Sequence, residues 1–125
     1  MDTVVIVDDE VHIRSLLEQT LEELQEERDF EILTAANGGD GLATIQRERP
    51  KLVFLDVMMP IMNGYDVCSA IRADATLNDT KVVMLTAKGQ EADRQRGLEV
   101  GVNHFMTKPF DPDEILKLAA TILQG

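Results

Sequence analysis

The chain is poor in the features that would commit it to a membrane, a disulfide framework or a nucleic acid. A single cysteine, Cys68, stands alone among 125 residues. No internal disulfide can form, and a lone thiol fits a reducing compartment. No segment approaches the roughly 18 continuous apolar residues of a membrane span. Met1-Asp2-Thr3 lacks the basic start of a secretory leader, and Asp8 and Asp9 interrupt the first apolar run. Positive charge is scarce: 12 Lys and Arg face 23 Asp and Glu, for a formal net charge of −11. Such a surface repels phosphate backbones and argues against direct nucleic-acid binding. It favours cations or basic partners, although most of it serves solubility alone. Repeats, linkers and low-complexity tracts are absent. The expectation is one cytoplasmic domain over residues 1–125, with neither leader nor membrane anchor.

What is present is an alternation. Thr3-Val4-Val5-Ile6-Val7 is a β-branched run and reads as a buried strand. A helix from about Glu10 to Glu27 follows, with Ile13, Leu16, Leu17, Thr20, Leu21 and Leu24 on its buried stripe. Glu18, Glu22, Glu23, Glu26 and Glu27 line its solvent side, and Val11 and His12 fall off the stripe. Phe30–Ala36 reads as a second strand, and Asn37 or Asp40 caps a helix from about Gly39 to Arg49 that Pro50 stops. Gly41 weakens that helix by up to ~1 kcal/mol relative to alanine. Lys51–Asp56 is a third strand, followed by a loop and a helix over Gly64–Arg72. Val67, Ala70 and Ile71 share a face of that helix, with Cys68 at its border as a small core residue. Leu77–Thr80 is a turn and Lys81–Thr86 a fourth strand. A helix from about Gln90 to Val100, carrying Ala92, Leu98 and Val100, closes at Gly101. His104–Lys108 is a last short strand. Asp111-Pro112-Asp113-Glu114 opens a final helix whose buried stripe is Ile115, Leu118, Ala119 and Ile122.

Five strands alternating with five helices predict an α/β fold: a parallel sheet with helices on both faces and right-handed crossovers. In such sheets chemistry gathers at the carboxyl ends of the strands. Four of the five strands end in a charged or reactive group there: Asp8 and Asp9, Asp56, Thr86, and Lys108. The mutual repulsion of clustered carboxylates is relieved by a divalent cation. All-oxygen ligands suit Mg2+, which takes one or two carboxylates and keeps several waters. Lys108 adds a point positive charge for a phosphate oxygen and Thr86 a hydroxyl donor. Asp56 can itself act as nucleophile, because aspartate carboxylates form acyl phosphates. Singly, each residue has an ordinary structural explanation: Thr86 a strand-end hydroxyl, Lys108 a surface amine, Phe105 a core ring, His104 a surface residue. The joint arrangement is what carries chemistry.

The motifs Val7-Asp8-Asp9-Glu10, Leu55-Asp56-Val57-Met58-Met59-Pro60 with Gly64, Leu85-Thr86-Ala87-Lys88 and Thr107-Lys108-Pro109-Phe110 resemble the receiver domain of two-component response regulators, over about residues 3 to 123. The resemblance implies a five-stranded, doubly wound, flavodoxin-like sheet of order 2-1-3-4-5. It implies that Asp56 accepts a phosphoryl group from a phosphohistidine on a sensor histidine kinase or histidine phosphotransfer protein. Asp9, Asp56 and the Met58 backbone carbonyl would bind Mg2+ directly, with Mn2+ as an alternative, and Asp8 through water. Lys108 would hold the phosphate, with the Lys108–Pro109 peptide cis. Thr86 and Phe105 would relay the change to the surface of the fourth helix, fifth strand and fifth helix, where an output domain or protein reads it. On this reading the chain is a phospho-accepting switch rather than an enzyme.

Departures from the family pattern are small. Phe105 stands where tyrosine is usual, so the switch ring carries no hydroxyl. Gly41 and Val102 stand where alanine is usual. Met58 and Lys88 occupy variable positions that help set dephosphorylation rate. Lys117 is the only basic residue of the last helix, which argues against the charge-paired dimer of the winged-helix branch. Three other readings compete. An aspartyl-nucleophile, Mg2+-dependent phosphatase of the haloacid dehalogenase type would want an acid where Met58 stands. A flavodoxin-type nucleotide site would be repelled by Asp8-Asp9-Glu10. A receiver acting through protein contacts alone would lack one of these parts, and all are present.

Overall fold

The computed structural model describes residues 1–87 and 94–124. In chain order the elements are β1 (Asp2–Val7), α1 (Val11–Gln25), β2 (Phe30–Ala35), α2 (Gly38–Glu48), β3 (Leu52–Asp56), α3 (Gly64–Ala73), a single 3-10 turn (Ala75–Leu77), β4 (Lys81–Ala87), α4 (Arg94–Val100), β5 (His104–Lys108) and α5 (Pro112–Gln124). The five strands form one parallel sheet in the order β2-β1-β3-β4-β5. The doubly wound architecture is therefore as the alternating pattern and the resemblance imply. Among the described residues, no helix is long and apolar enough to cross a membrane.

The central strands explain their own sequences. Val4–Val7, Leu52–Leu55 and Val82–Leu85 are buried on both faces, which is why they read as unbroken apolar runs rather than alternating ones. On the edge strand β2, Glu31 and Thr34 reach solvent. One face of the sheet packs Ile6, Phe54 and Leu85 beneath Leu17 and Leu21 of α1 and Ile115 and Ala119 of α5. The other packs Val5, Val53 and Met84 beneath Ile45 of α2 and Val67, Cys68 and Ile71 of α3. Each fully buried Leu, Ile, Val or Phe contributes about 1.5–3 kcal/mol relative to exposure. Thr80, buried between two strand starts, donates to the Pro50 carbonyl at 2.6 Å.

Several local expectations need correction. Leu16 is 39% exposed rather than on the buried stripe of α1, which is carried by Leu17, Thr20, Leu21 and Leu24. The α5 stripe is Ile115, Ala119 and Leu123, with Leu118 and Ile122 only half-buried. On α3 the phase is also shifted: Tyr65 and Cys68 are buried and Ala70 is half-buried. Leu98 of α4 is 58% exposed, and Gly97 is the buried residue there. Lys88, and Gln90 and Ala92 of the expected fourth helix, lie outside the described residues. Asn37 rather than Asp40 caps α2: its side chain accepts from the Asp40 N–H at 2.8 Å. The Asp111 carboxylate accepts from the Asp113 N–H at 2.9 Å, as expected of that cap.

Two packing details bear on the site. A Cβ added at Gly41 would lie 2.6 Å from Val7 Cγ1, so α2 crosses the end of β1 too closely for any side chain. Arg72 ties the end of α3 to the turn between α4 and β5: its Nε donates to the Gly101 carbonyl at 3.0 Å and its Nη2 to Asn103 Oδ1 at 2.7 Å. The same Asn103 oxygen accepts from the Val82 N–H at 2.8 Å, pinning that turn to β4.

Candidate functional site

Parallel register brings the expected strand ends together. Val7 pairs with Leu55, Asp56 with Leu85, Thr86 with Thr107 and Ala87 with Lys108. Asp8 follows β1 directly, and its N–H donates to the Ala35 carbonyl at 3.1 Å. Its Oδ1 accepts from the Glu10 N–H at 2.9 Å, and its carbonyl accepts from the Arg14 guanidinium at 2.7 Å. Asp8 is fully buried, whereas Asp9 points to solvent.

Lys108 reaches across from β5 into the acids. Its Nζ lies 2.8 Å from Asp8 Oδ2, 3.2 Å from Asp56 Oδ1 and 3.4 Å from Glu10 Oε1. The contact with Asp8 is an ion pair rather than an aligned hydrogen bond, which leaves Asp8 Oδ2 otherwise unpartnered. One oxygen each from Asp8, Asp9, Glu10 and Asp56 fall within 4.8 Å of one another. A buried carboxylate oxygen without an aligned hydrogen bond, beside three further acids, is a donor set that suits a hard divalent cation. Glu10 joins the site although the sequence analysis gave it no role there: its Oε1 lies 3.4 Å from Lys108 Nζ, a reach across the sheet that the motif does not encode.

Burial sets the electrostatics. Asp56 is 6% exposed, and burial raises its pKa to about 7; the charge of Asp8 adds to this and Lys108 opposes it. Burial likewise raises the Asp8 pKa, against the pull of Lys108. For Lys108, burial works downward, but its close contact with Asp8 and the charges of Asp56 and Asp8 outweigh it and hold the amine above its usual range. Lys108 is thus a permanent ammonium among carboxylates that would ionise more fully if a further cation joined them. Burial also pushes the Cys68 thiol up to about 11, which fits an inert core residue.

The loop after β3 completes the rim. Ile61 sits at φ 74°, and the Met62 N–H donates to the Pro60 carbonyl at 2.8 Å, a γ-turn with a β-branched residue at its strained centre. The Gly64 N–H donates to the Val57 carbonyl at 2.9 Å and closes the loop. Met58 projects its side chain to solvent, and its carbonyl accepts no hydrogen bond among the described residues. The Lys108–Pro109 peptide is cis. Thr86 is buried, and its hydroxyl donates to the Met106 carbonyl at 3.4 Å. Phe105 is half-buried against the α3 side of the sheet, with the Arg94 guanidinium 5.2 Å from its ring centroid. The guanidinium of Arg96 lies 4.4 Å from the Tyr65 ring. No sequence signal pointed to either pairing, because each depends on how α4 is set over its neighbours. A cavity of about 780 Å³ lies at the opposite end of the sheet, where the strands begin, lined in part by Thr3, Lys51, Lys81 and His104. The acidic cluster, at the carboxyl ends of the strands, does not line it.

Known proteins resemble this chain in sequence and fold. The family profile described as the response regulator receiver domain matches residues 4–120. The probable transcriptional regulator ycf27 of Cyanophora paradoxa is 44% identical over 112 residues, covering 90% of this chain and 44% of that protein. The alkaline phosphatase synthesis transcriptional regulatory protein PhoP of Bacillus subtilis (strain 168) is 37% identical over 121 residues, covering 97% of this chain and 48% of that protein. The chain spans about half the length of these curated relatives. Among solved structures, the chemotaxis response regulator CheY4 of Vibrio cholerae superposes with a TM-score of 0.86 at 33% identity, covering 98% of each chain.

Proposed function

Since the chain belongs to the response regulator receiver domain family, we propose that Asp56 is its phosphoacceptor and that the donor is a phosphohistidine on a sensor histidine kinase or histidine phosphotransfer protein. One observation carries this reading: the ammonium of Lys108 lies between Asp8 and Asp56, within 3.2 Å of each. In transfer, an Asp56 oxygen forms a bond to phosphorus as the donor's P–N bond breaks, and the imidazole leaves with the electron pair. Lys108 then faces the new phosphoryl oxygens and offsets their charge. Asp8 is held by the Glu10 N–H and Arg14 and in turn orients Lys108.

Asp9 and Asp56, with the Met58 carbonyl, are the groups that would hold Mg2+ or Mn2+, with Asp8 acting through water. A cation bound there neutralises carboxylate charge and helps align the incoming phosphate. Thr86 and Phe105 form the switch that turns a local charge event into a changed surface on α4, β5 and α5. The chain in this reading accepts a phosphoryl group without turning over a substrate. A cytoplasmic setting fits a buried, unreactive thiol, and the downstream reader is an output domain or a separate protein. Residues 1–125 act as the single domain that carries all of this.

Intact mass after incubation with acetyl phosphate tests the reading. Wild type should gain one phosphoryl group only with Mg2+ present, and Asp56→Asn should gain none. Mg2+-dependent incorporation that persists in Asp56→Asn would assign the acceptor elsewhere.

A further inference from the structure

Phe105 differs from a tyrosine in having no hydroxyl, so no hydrogen bond can define where its ring rests. Two contacts from α4 define it instead. A Cβ added at Gly97 would lie 2.6 Å from Phe105 Cζ and 2.7 Å from Cε1. The ring edge therefore fills the space that any other residue at position 97 would claim. Over the ring face, the Arg94 guanidinium carbon lies 5.2 Å from the centroid, within the range of a cation–π contact. Arg94 forms no ion pair with a described residue, so the ring is its defined partner.

From this we infer that Arg94 is the positioning residue for the switch ring: its guanidinium holds Phe105 in the notch at Gly97 and opposes the ring's inward turn. The inference rests on the reading of Phe105 as switch. The aromatic face is electron-rich and the guanidinium weakly hydrated, so the pair is favourable even at a partly exposed site. On this reading the setting in the notch is the outward one, and the inward turn takes the ring away from both Gly97 and the cation. Arg94 thus adds to the free energy that phosphorylation must overcome, and it does so with a contact suited to phenylalanine. The contact needs only the face of the ring, so it is available to a phenylalanine that has no hydroxyl to anchor it. Arg96 on Tyr65 uses the same chemistry against a ring that is buried and lies outside the switch.

The test is fluorine NMR on protein carrying 4-fluorophenylalanine at its four phenylalanines, with the Phe105 signal assigned by its loss in Phe105→Leu. Beryllofluoride with Mg2+ serves as the phosphoryl mimic. In wild type the Phe105 signal should move on adding the mimic. In Arg94→Ala without the mimic, the signal should shift part-way toward that position, with the inward population and the apparent affinity for the mimic raised about 2- to 5-fold. Arg94→Lys, which keeps a cation over the ring, should fall between wild type and Arg94→Ala. Gly97→Ala should displace the ring whether or not Arg94 is present. A wild-type signal that responds to the mimic, with Arg94→Ala indistinguishable from it in both ring position and affinity, would overturn the role of Arg94 alone. A Phe105 signal that ignores the mimic while mimic binding is seen elsewhere and needs Asp56 would remove Phe105 as the switch, and the inference with it.

Discussion

Asp56→Asn should stabilise the metal-free protein, and increasingly so as pH rises. The Asp56 carboxyl titrates at about 7 in the fold against an ordinary 3.8, chiefly because burial disfavours its charge and secondarily because Asp8 lies beside it. The folded state therefore holds this proton more tightly than the unfolded state does. Between pH 4 and about 7 the folded state binds more protons, so stability falls as pH rises through that window and levels off above it. Each pH unit within the window withdraws about 1.4 kcal/mol. From pH 5 to about 7 the loss is two such steps, or about 2.7 kcal/mol. Asparagine has nearly the same shape and no charge, and so escapes that loss. The difference in unfolding free energy between Asp56→Asn and wild type should then widen by about 2–3 kcal/mol from pH 5 to pH 8. Urea denaturation in EDTA at the two pH values measures it directly. A difference that stays constant with pH would show that Asp56 is not held protonated by its surroundings, and the electrostatic account of the site would fail. Adding Mg2+ at pH 8 should narrow or reverse the difference, since only wild type offers the full carboxylate set.

Three further outcomes are expected. Lys108→Ala strips the counter-charge from buried Asp8 and Asp56 and should cost about 3 kcal/mol near neutral pH in metal-free protein, read by urea denaturation; an unchanged midpoint would contradict the tight packing of charge around Nζ. Gly41→Ala raises helix propensity yet should destabilise by about 1–3 kcal/mol, because its Cβ meets Val7 at 2.6 Å. A stabilised variant would mean that α2 can lift from β1 at no cost. Asp9→Ala should weaken Mg2+ binding at least tenfold by calorimetry while leaving the metal-free fold intact, and equal affinity would remove Asp9 from the ligand set.

Much of the sheet was legible because a strand buried on both faces has little choice of sequence. Val4–Val7, Leu52–Leu55 and Val82–Leu85 admit no polar residue, and the charged residues that follow them mark where each strand leaves the core. The same logic found Asp8, Asp56, Thr86 and Lys108. Helix faces were harder. Leu16 and Leu98 are apolar at plausible spacing yet face solvent, since one leucine more or less does not fix the phase of a stripe. On α5 a rotation of part of a turn exchanged Leu123 for Leu118 and Ile122 in the core. The opposite exposures of adjacent Asp8 and Asp9 follow from the direction in which the chain leaves β1, which no pattern of residue types encodes. The arginine–ring contacts of α4 were invisible for a related reason. They depend on how a helix is rotated over a strand, and the sequence constrains that only through the absence of a side chain at Gly97.

The tie between Arg72 and the turn at Gly101 and Asn103 has a mechanical consequence. It bolts the carboxyl end of α4 to both α3 and β4 through directional hydrogen bonds. The other described end rests on two aromatic faces, where contact survives sliding and tilting. A rod fixed at one end and cushioned at the other behaves as a cantilever. With about 1.5 Å of rise per residue, Arg94 stands about 9 Å from Val100, so a tilt of about 10° at the bolted end carries it about 1.6 Å. Leu98, exposed about a third of the way along the rod from the bolted end, travels roughly a third as far. Displacement along this helix is therefore graded, smallest at the turn into β5 and largest where the helix meets the ring of Phe105.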